Sequence, residues 1–143
     1  MRLIHGPLSG RLGGTLLTIL KVDRLRLAKR RWRGFAEDGE EFGFDLEYPL
    51  RDGTFFFHSE TRSYAIEQQT ESVIDIVCPE NASDSARLGW VLGNLHFPIE
   101  IHPGKLRVCD DQAIRQLLLR ENYTYSLVDS VFQPLSGAHS HGL

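Results

Sequence analysis

The stretch GWVLGNLHFPI (residues 89–99) joins an apolar helical run to a short strand, and it decides the fold of the second half of the chain. Upstream of it, Leu88, Leu92 and Leu95 recur at helical spacing, while Phe97 and Ile99 alternate with other residues as in a strand. The junction carries one histidine, His96, with no second metal ligand close by in sequence. Because one imidazole cannot hold a metal ion alone, any further ligand must come from a distant segment or from another copy of the chain.

Working outward from this junction, the second half alternates strands and helices. The order β-α-β-β-α-β is the ferredoxin-like pattern, in which two helices cover one face of a four-stranded antiparallel sheet. The second helix is predicted to begin after Asp110 or Asp111 and to bury Ile114, Leu117 and Leu118. The predicted elements are a strand over Ser72–Cys78, a helix over Ala82–Leu95, strands over Phe97–Ile101 and Lys105–Cys109, that second helix, and a last strand over Tyr123–Val131.

The first half is predicted to be all β, since no helix-period segment in it is long enough. Asp38-Gly39 and Asp52-Gly53 separate strand-like runs and favour tight hairpins, which suggests a small antiparallel sandwich or barrel. The predicted strands are Leu16–Leu20, Arg31–Phe35, Phe42–Leu46, Thr54–His58 and Tyr64–Gln69. The fold class is therefore α+β, with an N-terminal all-β domain over residues 1–71, a ferredoxin-like domain over 72–132 and a flexible C-terminal tail over 133–143.

Composition excludes several classes of protein. With 143 residues and a net charge of −3, the chain gives no overall case for nucleic acid. The basic run at residues 29–33 lies beside the acidic residues 37–41, which favours a solvated hairpin over a phosphate-binding patch. The apolar run Leu16–Leu20 is far shorter than the about 20 residues of a membrane span, and no signal peptide precedes it. Cys78 and Cys109 are then expected to be reduced thiols in the cytoplasm.

No catalytic motif is apparent. The chain has no Gly-rich phosphate loop, no Gly-x-Ser-x-Gly elbow and no Cys-x-x-Cys pair. Cys109 is a poor nucleophile candidate, because the adjacent Asp110 and Asp111 disfavour its thiolate. We therefore expect that the protein is not an enzyme and has no catalytic residues.

The histidines allow two interpretations. His96 is either a helix-capping residue satisfied by a carbonyl, or a metal ligand that meets its own copy across the two-fold axis of a dimer. His139 and His141 are two apart, so in an extended tail they point the same way and can close on a metal held elsewhere. The other histidines are expected to be structural or solvent-facing; they are His5, His58 and His102.

Together these residues resemble a known family, the urease accessory nickel metallochaperones (UreE). The family pattern is Gly-Asn-x-His followed by an apolar-Pro-apolar strand and a Gly-x-Leu turn, and the similarity extends over nearly the whole chain. The similar segments are Gly93–Ile99, Pro103–Val108, the hairpin Asp38–Leu46, the turn Leu50–Gly53, and the end of the chain with Phe132–Pro134 and Gly137–His141.

The resemblance implies a cytoplasmic homodimer that binds Ni(II), with Zn(II) or Cu(II) able to substitute in vitro. It implies that His96 of each protomer binds one metal at the dimer interface, and that His139 and His141 complete the site. The implied partners are an accessory GTPase and the urease apoprotein complex, with no nucleic acid and no membrane. Residues 108–112 lack the histidines that some members have there, which favours delivery of one ion over bulk storage.

An alternative stays open, in which the protein is a metal-independent protein- or peptide-binding module or a chaperone adaptor. The N-terminal β domain would then hold an extended segment of a partner at an exposed strand edge, and His96 would be only a cap.

Overall fold

The computed structural model describes residues 1–135 and confirms the α+β class, with mostly strands and three helices. The chain divides into two compact units, Met1–Gln69 and Thr70–Leu143. No described helix is long and apolar enough to cross a membrane.

The first unit contains two three-stranded sheets, ordered β1-β4-β3 and β2-β6-β5. Each sheet is mixed, because β1 pairs with β4 and β2 with β6 in parallel, whereas the other two pairs are antiparallel. The prediction of an antiparallel sandwich or barrel is therefore wrong in its strand directions. The elements are β1 (Arg2–Ile4), β2 (Leu16–Val22), α1 (Arg24–Leu27), β3 (Arg31–Phe35), β4 (Glu41–Asp45), β5 (Phe55–His58) and β6 (Arg62–Gln68).

Of the two Asp-Gly pairs predicted to form hairpins, one does so and the other does not. Asp38-Gly39 connects the antiparallel pair β3 and β4, with Gly39 at a φ of 89°. Asp52-Gly53 is not a hairpin, because β4 and β5 belong to different sheets. The N–H of Gly53, at a φ of 81°, donates instead to the carbonyl of Ile66 at 2.9 Å. An Asp-Gly pair specifies positive-φ backbone, and it does not specify which strands meet.

Aromatic side chains fill the core of the first unit. Trp32 stacks on Phe44 with ring centroids 4.0 Å apart, and Phe42 meets Phe56 edge to face at 5.0 Å. Short β1 and the single turn of α1 are absent from the sequence-based prediction. In α1 the carboxylate of Asp23 caps the turn by accepting the N–H of Arg26 at 2.8 Å, a signal too short for periodicity to detect.

The second unit contains one four-stranded antiparallel sheet with the order β10-β7-β9-β8. Its apolar core lies between the sheet and two helices, and consists of Ile74, Ile76, Leu88, Leu92, Leu106, Val108, Ile114 and Leu118. The elements are β7 (Glu71–Val77), α2 (Ala82–Asn94), β8 (Glu100–His102), β9 (Lys105–Cys109), α3 (Gln112–Arg120) and β10 (Tyr125–Ser130).

Side-chain caps fix where these helices begin. Asn81 caps α2 by accepting the N–H of Ser83 at 2.8 Å, and Asp111 caps α3 by accepting the N–H of Ala113 at 2.9 Å. The predicted strand Phe97–Ile101 is wrong in its bounds, because β8 covers only Glu100–His102. Phe97 is still bonded to the end of α2, and Pro98 has no N–H for a strand ladder, so pairing starts later.

Candidate metal centre

His96 lies immediately after the C-terminal end of α2, in left-handed backbone conformation with a φ of 64°. Its N–H donates to the carbonyl of Gly93 at 3.0 Å, and the N–H of Phe97 donates to the carbonyl of Leu92 at 3.3 Å. These two bonds form a Schellman motif, which satisfies carbonyls that the end of a helix leaves without partners. The backbone conformation at His96 is thereby fixed by the way the helix ends.

The other long helix ends in the same way. After α3, Asn122 has a φ of 60°, its N–H donates to Leu119, and the N–H of Tyr123 donates to Leu118. Glycine and asparagine suit this left-handed position best; histidine adopts it more often than most residues, but a non-glycine residue there still costs about 1 kcal/mol. Among the residues the structure describes, His96 and Asn122 are the two non-glycine residues with positive φ. A histidine at a position suited to glycine points to a role beyond capping.

The last turns of α2, which lead to His96, carry exposed apolar side chains and open glycine positions. The side chains of Trp90 and Leu95 are 67% and 51% exposed. Gly89 and Gly93 have open space where a side chain would extend, although glycine in a helix costs about 1 kcal/mol relative to alanine. Exposed apolar groups next to an unhindered helix surface are the features by which a second protein surface is accommodated.

Within residues 1–135, no three His, Cys, Asp or Glu side chains come together as a metal site. His96 therefore has no ligand set in the described part of its own protomer. The predicted ligands His139 and His141 lie outside the described residues, as does most of the predicted tail.

The last described residues of the chain lie close to β8, the strand that follows His96. We call residues 131–135 the strap. The N–H of Gln133 donates to Oε1 of Glu100 at 2.6 Å, and the N–H of Leu135 donates to the carbonyl of Ile99 at 2.7 Å. Ile99 is three residues after His96, and His139 is four residues after Leu135. Four extended residues span at most about 14 Å, so the tail starts within reach of this region.

A charged network, which sequence reasoning missed, lies beneath the strap. Arg107 makes two bonds to Asp75, from Nε to Oδ1 at 2.7 Å and from Nη2 to Oδ2 at 3.1 Å. The hydrogen bonds from Arg107 keep the pKa of Asp75 below its usual value, although burial opposes this, and Lys105 adds to the lowering. Arg107 also donates to Oγ of Ser130 at 3.0 Å, which ties the end of β10 to the sheet.

The other histidines and the cysteines differ in their contacts. His5 contacts the carbonyl of Asp45 at 3.1 Å, and His102 pairs with Glu100 two residues earlier on β8. The buried Nδ1 of His58 has no partner among the described residues. The Glu100–His102 pair was detectable in principle, because residues two apart on a strand share a face. Cys109 donates to Oε1 of Glu71 at 3.2 Å, and neither Cys78 nor Cys109 forms a disulfide within residues 1–135.

Comparison with known proteins defines the class of this α+β chain. Residues 71–143, more than half of the chain, match the model of the UreE urease accessory protein, C-terminal domain. The chain is 33% identical over 124 residues to the urease accessory protein UreE of Azotobacter vinelandii, covering 80% of this chain and 74% of that protein. It is 30% identical over 126 residues to the protein of the same name from Beijerinckia indica, covering 87% of this chain and 71% of the relative. The chain belongs to the UreE family of urease accessory proteins, and thus to accessory proteins rather than enzymes.

Proposed function

We propose that the protein is a urease accessory metallochaperone that binds Ni(II) at the interface of a homodimer and delivers it for assembly of the urease active site. The observation that carries this proposal is the exposed His96, held in left-handed backbone at the end of α2 in a domain that matches the UreE family. A two-fold axis through this surface brings two copies of His96 together, so each protomer supplies half of the site.

In this proposal, His139 and His141 complete the ligand set from the C-terminal tail. The strap supports that role, because it anchors the start of the tail beside Ile99. Imidazole binds nickel, zinc and copper alike, so Zn(II) or Cu(II) would compete in vitro. Selectivity would then come from metal availability and from the partners, an accessory GTPase and the urease apoprotein complex in the cytoplasm. A detachable tail also explains how a bound ion could be released.

The domain arrangement is part of the same proposal. The strand order β10-β7-β9-β8 with both helices packed against the sheet core supports a ferredoxin-like metal-binding and dimerisation domain over residues 72–132. Residues 1–71 would form the partner-binding β domain, and residues 133–143 the histidine-containing tail.

The test is nickel stoichiometry by equilibrium dialysis on the full-length dimer. We expect about one nickel ion per two chains in the wild type. His96→Ala should abolish this binding, while removal of residues 137–143 should weaken it without abolishing it. His5→Ala is the matched control, since it removes an exposed histidine of the first unit and should leave the stoichiometry unchanged. An unchanged affinity in His96→Ala would refute the assignment, and a wild-type dimer without nickel would favour the metal-independent alternative.

A further inference from the structure

The first unit contains a basic groove that the metal site does not involve. It has a volume of about 550 Å³ and lies between the edge strands β2 and β3, beside the single turn of α1. One acidic residue, Glu41, is among those that line it. Five cationic residues line it as well: Lys21, Arg26, Lys29, Arg31 and Arg33.

Three of these cations are not neutralised by the protein. Within residues 1–135, Arg26, Lys29 and Arg33 have no carboxylate partner, and Arg26 reaches only the backbone carbonyl of Arg33 at 3.4 Å. The other two differ, because Arg31 pairs with Asp45 at 3.0 Å and Lys21 lies 3.9 Å from Glu37. A concave surface with several unpaired cations has a positive potential that attracts anionic groups, whatever the sign of the net charge.

The backbone around the groove suits an extended ligand. Both β2 and β3 are at the edge of their sheets, so each has a side without a neighbouring strand in the described part of its sheet. Trp32, a lining residue, has an indole N–H that is buried and without an acceptor among the described residues. An unsatisfied buried donor is costly, and a ligand rich in oxygen acceptors would remove that cost. Phe35, which also lines the groove, is 64% exposed and offers an apolar contact.

We propose that this groove binds an extended acidic segment of a partner protein. Unpaired cations recognise its carboxylates, and its backbone pairs with the groups that are still open at the edges of β2 and β3, since the carbonyl of Ile19 on β2 already accepts the N–H of Glu37 at 2.9 Å. A peptide fits better than nucleic acid, because the net charge of −3 opposes a long polyanion while a short acidic segment meets only the groove. This inference rests on the partner-binding role proposed for residues 1–71. The groove consists of residues of the first unit, whereas His96 belongs to the second, so we expect binding in the groove without nickel.

The test uses metal-free, full-length protein in a Trp90→Phe background, in which Trp32 is the remaining one of the two tryptophans. Trp32 fluorescence is then titrated with a peptide of alternating glutamate and valine, about eight residues long. We expect saturable binding that weakens as salt is added. A peptide with glutamine in place of glutamate should bind at least about fivefold more weakly.

Charge-reversal variants identify the groove as the binding site. Arg33→Glu and Lys29→Glu should each weaken the acidic peptide by about five- to tenfold. Arg30→Glu is the matched control, because Arg30 is exposed and adjacent in sequence but is not a lining residue. An equal loss in Arg30→Glu, equal binding of the glutamine peptide, or tighter binding of an oligothymidine strand would each overturn the proposal. Nickel stoichiometry should be unchanged in Arg33→Glu with Trp90 retained, which separates this test from that of the metal site.

Discussion

At His96, backbone stability and metal binding make opposite demands on one residue. Left-handed backbone favours glycine or asparagine, and only histidine supplies an imidazole. We therefore predict that His96→Gly and His96→Asn raise the free energy of unfolding by about 0.5 to 1 kcal/mol while abolishing nickel binding. Urea denaturation of the apoprotein and equilibrium dialysis measure the two effects separately.

Asn122 provides the reciprocal control, since it occupies the same position of the same motif after α3. Asn122→His should lower the free energy of unfolding by a similar amount and should add no nickel site. If His96→Asn proved less stable than the wild-type apoprotein, the conflict argued for this residue would not exist.

The motif around His96 shows what a sequence can reveal at the scale of a residue. The sequence located the end of the helix locally, whereas the ligand role of His96 follows from the resemblance of its Gly-Asn-x-His pattern to the family and stays a prediction. The left-handed backbone was not deduced, because positive φ is uncommon for any residue other than glycine, even though histidine is among the residue types enriched there. His139 and His141 remain predictions.

At the scale of elements, the buried ion pair of Asp75 and Arg107 makes the stability of the second unit depend on pH. The lowered pKa of Asp75 means that its carboxylate is favoured in the folded state. In the unfolded chain Asp75 has its ordinary pKa of about 3.9, so between this value and the lower folded pKa the unfolded chain binds more protons. The stabilisation is therefore fully present above about pH 3.9 and is lost as the pH falls through the folded pKa. Asp75→Asn should therefore cost about 2 kcal/mol near neutral pH, and the difference from wild type should shrink below about pH 4.

Urea denaturation at a series of pH values measures this difference. Asp110→Asn is the control, because the pKa of Asp110 is also lowered, chiefly by hydrogen bonds from Arg115, but this pair lies at the surface. Asp110→Asn should lower the free energy of unfolding less than Asp75→Asn does. Equal losses of stability in the two variants would show that burial does not strengthen the Asp75–Arg107 pair.

The carboxylate of Glu100 holds the strap and also pairs with His102. Oε1 of Glu100 accepts the N–H of Gln133, while Oε2 pairs with His102. We predict that Glu100→Ala speeds amide exchange at Gln133 and Leu135 by roughly tenfold, since losing a bond worth about 1.5 kcal/mol promotes local opening. His102→Ala keeps the acceptor for Gln133 and should have a much smaller effect. Exchange measured by NMR distinguishes the two variants, and equal effects would show that Glu100 does not hold the strap.

The elements differ in how far the sequence determines them. Strands β3 and β9 have the bounds that were predicted, α2 begins at the predicted Ala82, and α3 begins after Asp111, one of the two residues expected to cap it. The parallel pairing of β1 with β4 and of β2 with β6 was not foreseen, because it joins segments distant in sequence and leaves no local signal. The basic groove was missed for a related reason. The run at residues 29–33 was judged beside its acidic neighbours in sequence, whereas the fold brings Lys21 and Arg26 to it.

For the whole molecule, the proposed site exists only when two chains meet, so nickel binding and dimerisation are linked. Trp90 is a large apolar side chain, 67% exposed on α2 and six residues before His96, and we place it in the proposed interface. Trp90→Glu should raise the dimer dissociation constant at least about tenfold, because it places charge in an apolar contact. Added nickel should partly restore the dimer, since the shared ion binds both copies of His96.

Sedimentation velocity over a range of protein concentrations, with and without nickel, tests this linkage. Leu25→Glu is the matched control, because Leu25 is also 67% exposed but belongs to the first unit. It should change neither the dissociation constant nor the nickel stoichiometry. A Trp90→Glu protein that stays monomeric and still binds one nickel ion per chain with wild-type affinity would show that the site is complete within one protomer, and the two-fold origin of the centre would have to be abandoned.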